Sequence, residues 1–320
     1  MDIAKKVMKN KTLKPTIFLI LLAPFTGEVL STSTSFFALL NPIVLIPLIF
    51  LYGFGALIIR EFLVKWKKSF LSLLIWGAAY GIIEEGIILR SFFNPYWNIG
   101  DLAVYGRVWG VGWIWVIQVT VYHAFFSIAA PIMLAHLVFP DVAHENWVSK
   151  RSLIIAALLF SFVAAPLFYL ISPYNQPILQ YILFIIITVI LLYMGKRLPS
   201  IDENNLPQLP TSPKKIFFWS AIFTPLFFIT TFITPKTSIP WPVTAVILIG
   251  WPLFILWKID SSFGLKFVWT PKQKIAFVAG TLSFLIYFMP LISKEPIGQV
   301  VASIITIAIL VKVIRQYKAK

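Results

Sequence analysis

Apolar residues fall along this chain in long continuous runs, and the polar and charged positions are swept into short intervals between them. About 20 apolar residues in a helix cross a hydrocarbon core of about 30 Å. Ten such stretches are expected: Thr16–Thr34, Phe36–Ile59, Ser69–Leu89, Val108–Phe139, Ser152–Ile171, Ile178–Gly195, Ile216–Thr234, Trp241–Trp257, Ile275–Ile292 and Ile297–Val311. They predict an all-α fold, a polytopic transmembrane helical bundle of about ten spans. Composition agrees: 59% of the 320 residues are hydrophobic and only 12% charged, and the mean hydropathy is +0.88.

A net charge of +15 would point to a nucleic-acid partner in a soluble protein. Its distribution makes it a topology signal instead. With the N-terminus in the cytoplasm, all the basic residues fall in cytoplasmic segments except Arg90, Arg107, Lys236 and Lys294, as the positive-inside rule requires. Both termini are therefore expected in the cytoplasm, and the chain in a cell membrane as a multi-pass protein with no nucleic-acid partner. The chain has no cysteine, which excludes disulfides, thiol catalysis and thiolate metal sites. Its start imitates a secretory signal, but Pro24 and Glu28 interrupt the apolar stretch and no clean A-x-A site follows, so the first span is expected to be retained.

The longest polar interval, Lys196–Lys215, reads KRLPSIDENNLPQLPTSPKK. Its prolines and mixed charges read as a cytoplasmic linker. It divides the chain into a six-helix part over residues 1–195, which carries every membrane-embedded glutamate and histidine, and a four-helix apolar part over residues 216–320.

Candidate chemistry begins with Glu84 and Glu85, adjacent inside the third stretch. An ionisable side chain in hydrocarbon costs at least about 2.5–3.5 kcal/mol on insertion scales, so such groups face a protein interior or a watery cavity and mark a site. Gly77, Gly81 and Glu85 follow at i, i+4 and i+8, with Tyr80 and Glu84 beside them, so that a second backbone can approach closely beside the carboxylates. Arg90 either reaches back to neutralise one carboxylate or snorkels to the headgroups. On the fourth stretch Thr120, His123, Ser127 and Ala130 share a face. As one helix that stretch would be about 48 Å long, beyond the hydrocarbon thickness. If its first turns belong to the outer loop, His123 lies level with the glutamates; if they are embedded, it lies some two turns deeper. Glu28, in the outer part of the first span, is a candidate third carboxylate. His136 is about 20 Å from His123 along a straight helix, and with Asp141 and His144 it is assigned to the cytoplasmic interface. The expected site residues are thus Glu84, Glu85, His123, Ser127, Arg90 and Glu28. A zinc site would draw on more than one imidazole, so metal content stays open, and no motif names a cofactor; P-loop, G-x-S-x-G and H-E-x-x-H patterns are absent.

Glu84-Glu85 followed by Arg90, and then His123-Ala-Phe-Phe-Ser127 on the next span, resembles the signature of the CAAX-protease and bacteriocin-processing (CPBP) family of intramembrane proteases. The resemblance covers Gly81–Pro131. It implies proteolysis within the membrane: Glu84 or Glu85 as the base that activates water, His123 as an electrostatic or acid-base partner, and Ser127 assisting at the oxyanion. The sequence departs from that pattern at three places. Arg90 is one residue further from the glutamate pair than in EExxxR, Val119 stands where an FxxxH motif has phenylalanine, and no second deep histidine follows Phe139. The segments FTGEVLSTSTS and YGRVWGVGWIW also resemble parts of an uncharacterised prokaryotic membrane family.

Three functions follow from these residues. The first is an intramembrane hydrolase, a peptidase, acting on a membrane-embedded peptide. The second is a proton-coupled transporter of a small solute or cation, in which the same carboxylates load and unload protons. The third is a non-catalytic membrane assembly subunit whose glutamates bind a basic partner helix. Beyond such a substrate, cargo or subunit, the partner expected in every case is the lipid bilayer.

Overall fold

The structure, a computed structural model, describes residues 2–171, 174–202 and 205–318. Among these, ten helices are long and apolar enough to cross a bilayer: α1 (Lys11–Val29), α2 (Pro42–Lys65), α3 (Phe70–Ile88), α4 (Trp113–Val138), α5 (Lys150–Leu170), α6 (Ile178–Arg197), α7 (Pro213–Lys236), α8 (Trp241–Ile259), α9 (Pro271–Ile292) and α10 (Pro296–Lys318). The only strands among the described residues are β1 (Arg107–Val108) and β2 (Val111–Gly112), paired antiparallel between α3 and α4. The expected polytopic helical bundle is the architecture found.

Local chemistry sets where the helices begin. On the side of the termini, Ser69, Ser149, Ser212 and Thr270 each precede a helix, and each side chain accepts a backbone N–H three residues on, satisfying a donor that the first turn leaves unpaired. At the other end Asn41 accepts from the Ile43 N–H ahead of Pro42. This places α2 after a separate short turn, Phe36–Leu39, which the expected single stretch from Phe36 had included. The fourth stretch is likewise shortened: residues ahead of Trp113 form the β1–β2 hairpin, with left-handed Gly106 (φ +74°) and Gly110 (φ +75°).

α4 is the most enclosed helix, and α1, α2, α3, α8 and α9 all pack on it. Its buried stretch, Ala124 to Ala135, is apolar but for Ser127. Close approach to α3 depends on glycine. A Cβ on Gly77 would lie 2.8 Å from Ala124 Cα, and one on Gly81 would lie 3.0 Å from His123 Cβ. α5 and α6 are the least enclosed, and leave Ile155, Leu158, Leu179, Ile186 and Val189 exposed as a surface suited to lipid chains.

The terminus-proximal end of α4 is held by an arginine that the charge pattern counts only as a topology marker. Arg60 is wholly buried. It pairs with Glu61 Oε1 at 2.5 Å, donates to His136 Nε2 at 3.1 Å and to the carbonyls of Ala143 at 2.9 Å and Val142 at 3.3 Å, and stacks on the Trp147 ring at 3.7 Å. Removing one partner of a buried pair strands the other's charge at about 3–5 kcal/mol. Arg60→Met is therefore expected to lower the thermal unfolding midpoint of the detergent-purified protein sharply, and Arg60→Met with Glu61→Leu to restore most of it. An unaltered midpoint in the single variant would remove this network from the account of stability.

Candidate functional site

The helices that meet around His123 share a backbone irregularity. α1 is interrupted by a π turn at Phe25–Val29, α2 at Ile49–Gly53, α3 at Ile82–Ile88 and α4 at His123–Ala129. Each shows the wide hydrogen bond that defines it, from Leu30 N to Phe25 O, Phe54 N to Ile49 O, Leu89 N to Glu84 O and Ala130 N to Phe125 O. Such turns are rare, cost regular hydrogen-bond geometry, and collect at functional sites. Here every one of the four carries a polar group of the same cluster: Glu28, Tyr52, Glu84 with Glu85, and His123 with Ser127.

Glu84 and Glu85 are neighbours in sequence, and a regular helix would point them about 100° apart. The π turn lets both address one imidazole. Glu84 Oε2 lies 3.3 Å from His123 Nδ1, and Glu85 Oε1 lies 3.6 Å from His123 Nε2. Nδ1 is also 2.9 Å from Ser127 Oγ, one turn further on. Glu84, His123 and Ser127 are buried to within 2% exposure, and Glu85 to 8%. Of the expected residues, these four come together. The hairpin settles the depth of His123, since giving the residues before Trp113 to the outer loop brings the imidazole level with the glutamates.

The two carboxylates differ in their surroundings. Glu85 is held from outside the span: Ser91 Oγ donates to its Oε2, and Trp115 Nε1 in turn donates to Ser91 Oγ at 2.9 Å. The loop that carries Ser91 is itself pinned by Arg107, whose guanidinium donates to the carbonyls of Ala103, Phe93, Asn94 and Gly110. Burial lowers the pKa of Arg107 from its ordinary value, and an arginine still keeps its charge there. Both oxygens of Glu84, by contrast, are buried without a well-formed hydrogen bond, facing His123 and the hydroxyls of Tyr52 and Tyr80. Buried polar atoms are nearly always satisfied, so a buried carboxylate left with an imidazole at ion-pair distance marks where a water, a proton or a ligand belongs.

Glu28 is linked to the cluster through a residue the sequence reading did not single out. Tyr52 donates to Glu28 Oε1 at 2.5 Å, Thr34 donates to Glu28 Oε2 at 2.6 Å, and the Tyr52 ring centroid lies 5.9 Å from that of His123. Gly27 makes this possible, because a Cβ there would meet Tyr52 Cε1 at 2.6 Å and Ser127 Oγ at 2.9 Å. Tyr122 closes the same side by donating to the Gly27 carbonyl at 2.7 Å. The sequence signals were small: a tyrosine beside Gly53 in an otherwise apolar run, and a serine directly after Arg90.

Arg90 does not join. Its backbone is left-handed (φ +59°), and its guanidinium lies 4.2 Å from the centre of the Tyr169 ring of α5. Among the described residues no ion pair connects it to Glu84 or Glu85. The expected role of neutralising a carboxylate does not describe this stacked position.

One donor atom from each of Glu84, Glu85 and His123 lies within 4.8 Å of the others, so these residues could hold a metal ion through two carboxylates and an imidazole, a donor set that suits hard or borderline divalent cations. Chemically the cluster can also take a proton from water, hold it, and stabilise a developing anion with the imidazole and the serine hydroxyl.

A model of an uncharacterized membrane protein family matches residues 17–197. No curated protein and no solved structure matches the chain.

Proposed function

The chain belongs to this uncharacterized membrane protein family, and from the cluster it carries we propose that it is an intramembrane hydrolase, a peptidase in which Glu84 takes the proton from the attacking water. The single observation that supports this best is the unequal setting of the two carboxylates: Glu85 fixed by Ser91, Glu84 wholly buried beside His123 with no such anchoring hydrogen bond. Two neighbouring acids in different environments are how a site assigns a fixed role to one and a proton-carrying role to the other.

In this reading Glu84 removes a proton from water as the water oxygen bonds to the peptide carbonyl carbon. The carbonyl π pair moves onto oxygen, where His123 and the Ser127 hydroxyl stabilise it. When the C–N bond breaks, the proton held on Glu84 passes to the leaving nitrogen, giving an acid and an amine. Glu85, anchored through Ser91 and Trp115, orients His123 as a positioning residue. The double glutamate and the serine four residues beyond the histidine are the parts of the CPBP resemblance on which this draws. The spans over residues 216–320 complete the bundle, and the protein acts in a cell membrane on a membrane-embedded peptide.

The test is cleavage of transmembrane peptides in proteoliposomes, with new termini read by mass spectrometry, with and without a chelator. Cleavage that survives chelation supports Glu84 acting alone on water; cleavage lost on chelation and restored by a divalent cation places a metal on Glu84, Glu85 and His123. Because Arg90 stacks on Tyr169 away from the carboxylates, Arg90→Gln is expected to cleave within a few-fold of the parent protein. A loss of a hundredfold would return Arg90 to the site.

A second reading rests on a different observation, the series Glu28, Tyr52, Glu84, His123 and Glu85 of titratable groups in mutual electrostatic reach. Such a series suits a proton-coupled transporter. Vesicles would then show solute uptake driven by a pH gradient, and equal leak with and without the gradient would count against it.

A further inference from the structure

A cavity of about 410 Å³ lies at the end of the bundle that carries the termini. The α2–α3 loop, the end of α4 with the residues after it, the segment between α6 and α7, and the α8–α9 loop each contribute a wall. Lys67, Lys68, Lys274, His136 and His144 line it, over an apolar floor that includes Phe70 and Trp269. Along α4, His136 is about 20 Å from His123, so this cavity is separate from the acidic cluster.

Three features distinguish it from the basic fringe that positive-inside topology places at any headgroup surface. It is concave, and its volume falls in the range of small-ligand sites, about 300–1,000 Å³. Its walls are fixed in advance. Asp260 accepts from the backbone of Ser262 and Gly264, the Ser262 hydroxyl and Trp269 Nε1, which shapes the α8–α9 wall. Arg60 holds the carbonyls of Val142 and Ala143, and the Ile201 N–H donates to the Lys67 carbonyl at 2.7 Å. Finally, backbone strain gathers at its edge, where the non-glycine residues Lys67 (φ +47°) and Phe263 (φ +54°) are left-handed. Non-glycine residues persist in that region only when the surroundings over-determine them, and such positions collect at ligand sites.

The charge within is one-sided among the described lining residues, with Asp202 the one acid, and it accepts from Asn205 at 2.7 Å. Lysines around the rim of a shaped hollow above an apolar floor, with Lys68 Nζ held by the Leu198 carbonyl at 2.5 Å, suit a phosphate group attached to an apolar body, and basic pockets between transmembrane helices on the cytoplasmic side hold anionic headgroups in the same way.

We propose that this cavity binds a phosphate group, carried by an anionic lipid headgroup or by a small soluble phosphate, at a site separate from the carboxylate cluster. The whole protein in a neutral detergent would be titrated with dioctanoyl phosphatidate, dioctanoyl phosphatidylcholine, glycerol 3-phosphate and inorganic phosphate, with binding read by native mass spectrometry. Phosphatidate is expected to bind at least tenfold tighter than phosphatidylcholine if the source is a lipid. Saturable binding of glycerol 3-phosphate or inorganic phosphate that displaces phosphatidate identifies a soluble source. Lys274→Gln and Lys67→Gln should each weaken the bound phosphate about fivefold, whereas Lys236→Gln at the opposite end, and Glu84→Gln, should leave it unchanged. Lys274→Gln guards against a folding effect at the strained Lys67, since Lys274 lies in helical backbone. Equal binding of phosphatidylcholine with no binding of the soluble phosphates, or undiminished phosphate binding in both lysine variants, overturns the proposal.

Discussion

Glu84→Gln is expected to abolish peptide cleavage while leaving the protein folded. Glutamine keeps the shape of the side chain but cannot take a proton from water, and loss of a positioned base costs about 10²- to 10⁴-fold. The fold should hold because glutamine keeps the volume of the side chain and Glu85 still faces His123 Nε2 at 3.6 Å, so the imidazole is not left without an acidic neighbour. The neighbouring substitution separates the two carboxylates. Glu85→Gln should retain a measurable fraction of turnover, since Glu85 orients the imidazole at 3.6 Å and is itself tied to Ser91. The measurement is initial cleavage rate in proteoliposomes beside the unfolding midpoint of each variant. Full activity in Glu84→Gln, or a loss in Glu85→Gln as deep as that in Glu84→Gln, would reverse the roles assigned here. If neither parent nor variant cleaves and a pH gradient drives solute uptake that Glu84→Gln removes, the same carboxylate serves the transporter reading.

The spans were legible because lipid imposes one constraint everywhere, a run of apolar side chains about 20 residues long. The pairing of Glu84 and Glu85 with His123 was legible for a related reason: charge in hydrocarbon is costly enough to be noticed, and Gly77 with Gly81 announced that a second backbone would lie beside them. What escaped was whatever depends on local departures from the regular helix. A π turn leaves no mark on the hydrophobic pattern, so nothing announced that Glu84 and Glu85 would take opposite nitrogens of one imidazole, or that Glu28, a candidate from its depth alone, would be tied to it through Tyr52. Arg90 was placed by counting helical residues from the glutamates, but its left-handed backbone ends the helix and sends its side chain to Tyr169. Ser91 and Trp115 belong to the outer loop and the start of α4, where their meeting depends on the β1–β2 hairpin and the Arg107 carbonyl contacts rather than on any spacing in the chain. Arg60 was read by charge alone, although a buried arginine beside a glutamate is a packing element of the loop after α4.

Gly77→Ala tests whether the α3–α4 seam sets the geometry of the site, and it should cost both stability and turnover. The added methyl would sit 2.8 Å from Ala124 Cα and 3.1 Å from the Ala124 carbonyl oxygen. These are backbone atoms of the most enclosed helix, so no flexible side chain can yield. Overpacking of this kind costs about 1–3 kcal/mol. Relief can come only by moving α4 away from α3, and Ala124 is the residue after His123, so the 3.3 Å approach of Glu84 to the imidazole lengthens with it. Misplacement by about 1 Å is enough for a hundredfold loss of rate. Gly250→Ala on α8 is the matched control, because a Cβ there meets nothing within 4 Å and alanine is the better helix former. It should leave the unfolding midpoint unchanged or raised, and turnover intact. An undisturbed midpoint and normal cleavage in Gly77→Ala would mean that the two helices do not depend on close backbone contact, and that the distances around His123 are set by the outer loop and its hold on Glu85 instead.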